Sequence, residues 1–390
     1  MKPFSIITLL AGLSSAADLS VWDFDESCEQ YRDAIQKAYN DAEYMAVKAR
    51  GDLLKLLDPR PTYSKGTAGE VREWDRIARA VTNVFGFVPS KDGSEMDAEY
   101  YSNVMYVFNR MTTTLRDGIM VPENGYGGLK PLMVCDRDKF TWVGADDKDP
   151  TDPDKRPLKV SRAKDIVPGH IGAWTYKNRF IGAVTQGRAL NRCDPGEWAV
   201  TNTRLDFIII CPQSFRDDVA QTPSAVDVKD SEMTKEDNLD KYASKSLSRI
   251  MIHELAHWFG GGGAGGTNYR NGKDGDILYV DTAAREWTKK WNPPTTIKAV
   301  TYGYKWVANL ARVHTGANAA NTGPGKATNT AEAFALFAMM ATMDKYDWSN
   351  GGRPKSMDSM IPYEELPNNK RAASDFEAQG DPKRKAPEAS

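Results

Sequence analysis

The sequence predicts an α+β fold in one large domain, because three parts of the chain carry different residue patterns. In the first part, apolar residues recur at helical spacing over residues 27–57, 70–85 and 97–115. Short strand-like runs follow from about Leu132; residues 139–143 are one of them, and residues 206–211 are the clearest. Helical patterns return over residues 245–259, 304–313 and 330–343. A helical opening, a small mixed sheet and a helical close are typical of α+β proteins.

The two ends of the chain differ from this central domain. Residues 1–17 contain Lys2, an apolar run and then small residues, which is the three-part pattern of a secretory signal peptide. The apolar run is too short for a permanent membrane anchor. Polar residues, Gly and Pro dominate residues 349–390, so we expect a disordered tail there. The sequence therefore predicts a secreted, extracellular protein with its folded domain over residues 18–348.

Composition excludes several classes of partner. The chain is 41% hydrophobic and 27% charged, which is ordinary for a globular protein, and its formal net charge is −2. Because the chain has no excess of positive charge, we do not expect nucleic acid as a partner. No later segment approaches the roughly 18 unbroken apolar residues of a membrane span, so we expect no membrane partner either. The expected state is a monomer.

Four cysteines in an exported chain predict two disulfide bonds, for which three pairings are possible. Cys193 and Cys211 flank two extended runs that are separated by a polar turn near Asn202. A hairpin of that length can bring its ends together for a bridge, which would leave Cys28 with Cys135.

The strongest chemical motif is His253-Glu254-Leu255-Ala256-His257. In a helix, residues four apart lie about 40° apart on one face, so both imidazoles can reach one zinc ion at about 2.0–2.1 Å. Glu254 projects beside them, where it can deprotonate a zinc-bound water as a general base.

The residues around this motif favour a packed helix. Leu247, Met251, Leu255 and Trp258 form an apolar stripe on the opposite side, which we expect to be buried. Ser246 or Ser244 can cap the start of the helix, and the glycine run 260–263 ends it.

The sequence resembles the deuterolysin-type (aspzincin) secreted metallopeptidases, best known from fungi. That family places His-Glu-x-x-His on a helix, then Gly-Thr-x-x-Asp-x-x-Tyr-Gly, and then a helix with Asn-Ala-Asp-x-Tyr-Ala-Leu-Phe-Ala. Here the first element is intact, and the last returns as residues 329–338, with Glu332 for Asp and Phe334 for Tyr. The resemblance covers most of residues 18–348, and it implies a zincin-like fold and endopeptidase activity. It also favours the pairings Cys193–Cys211 and Cys28–Cys135, and by resemblance Tyr302 would donate a hydrogen bond to the oxyanion of the intermediate.

The middle element of the family pattern is split in this chain. Gly266-Thr267 and Tyr302-Gly303 are present, but they are about thirty residues further apart than in the family, and Arg270 stands where the ligand Asp should follow. The third zinc ligand is therefore open among Asp281, Asp276 and Glu332. We favour Asp281, because an apolar run precedes it and can fix its backbone near the zinc helix.

These motifs predict a zinc-dependent endopeptidase that acts on protein or peptide substrates. His253, His257 and Asp281 are the predicted zinc ligands, and Glu254 and Tyr302 are the predicted catalytic residues. The alternative is a secreted protein that keeps the zinc site without turnover and acts as a binding or effector module. A zinc-scavenging protein is a third hypothesis, disfavoured because such proteins usually carry more than four His and four Cys.

Overall fold

The computed structural model describes residues 17–89, 98–118, 128–187, 190, 192–203, 205–243, 245–260, 283–289, 295–300, 302–312 and 323–360. Of residues 98–99, 243, 283–289 and 295–300 it describes the backbone alone. Nearly all of the predicted signal peptide, and the end of the predicted tail from residue 361, lie outside these ranges.

Groups of helices and groups of short strands follow one another along the chain, which confirms the predicted α+β class. The helices are α1 Arg32–Lys55, α2 Ala68–Phe85, α3 Ala98–Asp117, α4 Leu158–Ser161, α5 Asp217–Ala220, α6 Ala225–Val228, α7 Leu239–Ala243, α8 Leu247–Gly260, α9 Tyr304–Ala311, α10 Gly323–Ala327 and α11 Ala331–Thr342. The strands are β1 Asp23–Phe24, β2 Leu132–Val134, β3 Thr141–Gly144, β4 Gly172–Tyr176, β5 Arg179–Ala183, β6 Ala199–Asn202, β7 Phe207–Ile210, β8 Ala283–Lys289, β9 Thr295–Val300, β10 Tyr346–Asn350 and β11 Arg353–Ser356.

The first predicted helix begins with a tighter turn. Asp25 accepts a hydrogen bond from the Ser27 N–H and starts a 3₁₀ helix, Glu26–Tyr31, which continues as α1. One face of α1 is buried along its length, because the apolar residues recur every three or four positions as predicted. At the end of α2, Gly86 has φ 82°, and a Cβ there would lie 2.4 Å from the Ala311 carbonyl oxygen. Only glycine fits where α2 meets α9.

The main sheet is mixed and has the strand order β1-β2-β7-β6. Strands β1, β2 and β7 are parallel, and β6 is antiparallel to β7 with Val200 opposite Ile209. Ile208 and Ile210 contact the main helical core, whereas Phe207 and Ile209 contact a second apolar cluster on the other side. Since both faces of β7 are buried, its sequence is continuously apolar rather than alternating.

A smaller antiparallel sheet, β3-β4-β5, covers that second cluster. The β4–β5 hairpin, which was not predicted from the sequence, turns at Lys177 and Asn178, both of which have positive φ. Buried Arg179 joins the two sheets, because its guanidinium donates to the carbonyl oxygens of Leu205 and Lys130.

Both predicted disulfide bonds are present. Cys28 pairs with Cys135, which joins the start of the first helical segment to the end of β2, with Cα atoms 4.9 Å apart. Cys193 pairs with Cys211 across the β6–β7 hairpin, with Cα atoms 5.3 Å apart. Asn202 ends β6 as predicted, and its side chain accepts a hydrogen bond from the Leu205 N–H within the turn.

The folded part of the chain extends beyond the predicted boundary at residue 349. Strands β10 and β11 form a hairpin across it, and Ser349 and Met360 are buried. Arg79 of α2 pairs with Asp347, and the Tyr304 hydroxyl donates to the Ser349 carbonyl oxygen, so this hairpin packs on α2 and α9. Within the described ranges, no helix is long and apolar enough to cross a membrane.

Candidate functional site

Helix α8 carries the His-Glu-x-x-His motif, and every residue of this helix is buried. The Ser246 hydroxyl accepts a hydrogen bond from the Arg249 N–H at 3.2 Å, so the predicted cap at this residue is confirmed. All four residues of the predicted apolar stripe are buried, and α8 packs on α1, α3, α11 and β6. The Trp258 indole donates to Asp206 Oδ1 at 2.8 Å, which fixes the end of the helix against the main sheet.

The two imidazoles of the motif face each other. His253 Nε2 and His257 Nε2 lie 3.2 Å apart, and the side chains are almost completely buried. Two nitrogen ligands at about 2.0–2.1 Å from one tetrahedral zinc ion are separated by about 3.3 Å. The pair can therefore share one cation with little movement, and it can also share one proton.

Glu332 contacts the other ring nitrogen of His253. Its Oε2 lies 3.0 Å from His253 Nδ1 and also accepts a hydrogen bond from Arg249. Its Oε1 accepts the Gly303 N–H at 3.0 Å. Glu332, one of the predicted alternatives for the third ligand, is thus in the site, but it lies on the side of the imidazole away from His257.

Glu254 is held by the sheet next to α8. Thr201, in β6, donates its hydroxyl to Glu254 Oε2 at 2.6 Å. Glu254 is 7% exposed and lines the same cavity as the two imidazoles. The general base predicted from the sequence is therefore next to the predicted ligands, with one of its two oxygens fixed.

Tyr302 lies at the wall of this cavity. Its ring centroid is 6.0 Å from that of His253, and its side chain is 52% exposed. The neighbouring Tyr304 is buried, and burial raises the pKa of its hydroxyl. Tyr304 therefore packs in the core, whereas Tyr302 lines the cavity, and the catalytic role of Tyr302 stays a prediction.

A cavity of about 800 Å³ opens over these residues. Strand β6, helix α8 and the segment just before α9 supply most of its lining. The lining residues are Arg192, Gly196, Glu197, Trp198, Ala199, Val200, Thr201, Asp240, Arg249, Ile250, His253, Glu254, His257, Tyr302, Gly303 and Glu332.

The favoured third ligand, Asp281, lies outside the described residues, and so does its alternative Asp276. Within the part of the chain that is described, no group of three or more His, Cys, Asp or Glu side chains is arranged to hold a metal ion. The described residues thus supply two candidate metal ligands, the imidazoles of His253 and His257. The identity of the third ligand stays a prediction.

Three contacts in the site were missed from the sequence: Thr201 bonds to Glu254, and Arg249 and the Gly303 N–H bond to Glu332. Arg249 is four residues before His253, so helical spacing alone could have placed it on the same face. Thr201 and the Gly303 N–H reach the site through tertiary contacts, for which the sequence carries no local signal.

Known proteins give no independent assignment of this site. No protein-family model, no curated protein and no solved structure matches the chain.

Proposed function

We propose that this protein is a secreted zinc-dependent endopeptidase with a zincin-like fold of the deuterolysin type. The observation that supports it best is the Nε2–Nε2 separation of 3.2 Å between His253 and His257, with Glu254 beside them in an open cavity. Neutral imidazoles are preferred zinc ligands, and a hydrogen-bonded carboxylate behind one of them is a common feature of zinc sites. The two imidazoles therefore fit zinc, and we propose Asp281 as the third ligand.

Bound zinc would polarise the scissile carbonyl and make a water molecule acidic near neutral pH. Glu254 takes up the proton that the attacking water loses and passes it to the nitrogen of the leaving amine. Thr201 occupies Oε2 of this carboxylate, which leaves Oε1 to accept that proton. Tyr302 is proposed to donate its hydroxyl to the oxyanion that forms at the carbonyl.

A peptide is the substrate class that the cavity favours. Strand β6 pairs with β7 along one edge only, among the described strands, and Ala199, Val200 and Thr201 line the cavity. A free strand edge can pair with an extended peptide by main-chain hydrogen bonds. Such a peptide would lie next to His253 and Glu254, since β6 packs along α8.

Export from the cell is part of the proposal. The amino-terminal signal pattern predicts it, and the two disulfide bonds are compatible with an oxidising compartment. We propose a monomer that acts on extracellular proteins, without nucleic-acid or membrane partners.

Cleavage of a denatured protein by the wild type and by Glu254→Gln tests the function. We expect the wild type to cleave, a chelator to stop cleavage and zinc to restore it. Glu254→Gln should lose about 10³-fold in rate, because it removes the proton acceptor, while it retains its zinc. Glu236→Gln, the same change at an exposed site, is the control and should cleave normally.

The outcomes separate the alternatives. Equal rates for the wild type and Glu254→Gln would remove Glu254 from the mechanism. A wild type that binds zinc and cleaves nothing would instead support the inactive binding module.

A further inference from the structure

Glu332 is a buried charge whose surroundings need explanation. It lies in the first turn of α11, a helix of buried and otherwise mostly apolar side chains, and it is 1% exposed. Burying a carboxylate is costly unless it is paired and hydrogen-bonded. Here the compensating groups all belong to the cavity: Arg249, the Gly303 N–H and His253. A residue that served packing alone would not need these three partners.

The hydrogen bonds of Glu332 determine the protonation of His253. A carboxylate that is paired with a guanidinium can only accept hydrogen bonds, so the contact at 3.0 Å requires the proton to be on Nδ1. The Nε2 atom then carries the lone pair, and this atom faces His257. Glu332 thereby fixes both the tautomer and the orientation that a metal ligand requires.

We propose that Glu332 is a positioning residue that preorganises His253 for metal binding, and that Arg249 and the Gly303 N–H hold Glu332 in place. This inference rests on the proposed zinc site and assigns Glu332 a role different from that of third ligand. Both of its oxygens are used on the Nδ1 side of His253, away from Nε2, the nitrogen that would bind the metal. The hydrogen-bonding partner of a ligating imidazole typically contributes 10–100-fold to metal affinity.

Zinc affinity measured by competition with a chromogenic chelator tests the role. We expect Glu332→Ala to bind zinc about 10–100-fold more weakly than the wild type. Glu332→Gln should lose less, because its carbonyl oxygen can still accept the Nδ1 proton. Asp344→Asn, the same carboxylate-to-amide change just after α11 at a half-exposed ion pair, is the matched control and should keep wild-type affinity.

Cobalt substitution distinguishes a positioning residue from a ligand. A positioning role predicts that Glu332→Gln keeps the visible absorption of a four-coordinate cobalt site. A changed cobalt spectrum together with complete loss of zinc binding would make Glu332 a ligand and overturn the proposal. Unchanged zinc affinity in Glu332→Gln and in folded Glu332→Ala would overturn it as well, and if the alanine variant does not fold, the glutamine variant decides.

The imidazole nitrogen shifts of the metal-free protein separate this proposal from the proposed function. Nuclear magnetic resonance should show His253 with its proton on Nδ1 in the wild type, and a larger shift towards the Nε2–H tautomer in Glu332→Ala than in Glu332→Gln, whose carbonyl oxygen still accepts the Nδ1 proton. If the wild type shows this tautomer but binds no zinc, the proposed function fails and the positioning role stands. If His253 carries its proton on Nε2 in the wild type, the positioning role fails whatever the zinc content.

Discussion

Two buried carboxylates, Asp149 and Glu332, show opposite uses of the same chemistry. Asp149 lies in the charged loop between β3 and β4, where Oδ1 accepts from the Thr151 N–H and hydroxyl. Its Oδ2 accepts from the Ser161 hydroxyl and the Arg162 guanidinium. Glu332 also pairs with an arginine, but another of its partners is an imidazole whose second nitrogen faces the cavity.

The partners of Asp149 all come from nearby in the chain, and they use both oxygens completely. Such a cluster stabilises a loop, and it leaves no oxygen of Asp149 available to bind a ligand. The partners of Glu332 lie 29 to 83 residues away, and they orient a group that can bind something further. The two clusters therefore differ in what the partners of the carboxylate can still bind: only Glu332 orients a side chain, His253, whose second nitrogen faces the cavity.

Removing Asp149 should have the largest effect on stability. Burial alone would raise the pKa of Asp149, but the hydrogen bonds from Thr151, Ser161 and Arg162 outweigh it, and the pKa is lowered. Asp149→Ala leaves these donors without their acceptor, so the free energy of unfolding should fall by about 3 kcal/mol. Urea denaturation measures this difference.

The matched control is Asp154→Ala, which removes an exposed carboxylate from the same loop. Its unfolding free energy should stay within about 0.5 kcal/mol of the wild type. Zinc binding should be unchanged in both variants, because the loop does not line the cavity. Equal stability of the two variants would contradict a structural role for Asp149. Loss of zinc binding in Asp149→Ala would contradict the claim that only the Glu332 cluster supports the site.

A smaller effect is expected at Asp152 and should depend on pH. Hydrogen bonds from the Arg156 side chain and N–H lower the pKa of Asp152 to about 2. In the unfolded chain the pKa is about 3.9, so this carboxylate stabilises the fold above pH 4 and loses that contribution as the pH falls towards 2. Asp152→Asn should therefore be less stable than the wild type at pH 6, and the difference should close between pH 4 and pH 2.

Urea midpoints of the wild type and Asp152→Asn at pH 6, 4 and 2 measure this closure. A difference in midpoint that stays constant across the three pH values would mean that the charge of Asp152 is not what stabilises the loop.

The long helices could be predicted from the sequence because their apolar periodicity reports the core directly. The same holds for β7, whose continuous apolar run reflects burial on both faces. The β4–β5 hairpin was missed, because its turn at Lys177 and Asn178 lacks the glycine that usually marks such turns. The C-terminal hairpin β10–β11 was also missed. Most of its residues are polar, and it is held in place by contacts with α2 and α9, which lie elsewhere in the sequence.

At the site, spacing within one helix placed His253, Glu254 and His257 together, because four residues make little more than one turn. The residues that orient them come from β6, from the start of α9 and from α11. No local pattern encodes such contacts. Glu332 shows the limit well: its presence at the site was among the predicted alternatives, but its place behind His253 emerges only from the fold.

Zinc content of the purified protein tests the central claim most directly. We predict one zinc ion per chain in the wild type and in Glu254→Gln, and little or none in His253→Ala and His257→Ala. His170→Ala, which removes an imidazole outside the cavity, should keep its zinc. A wild type without affinity for zinc, or histidine variants at 253 and 257 that retain the full zinc content, would contradict the account.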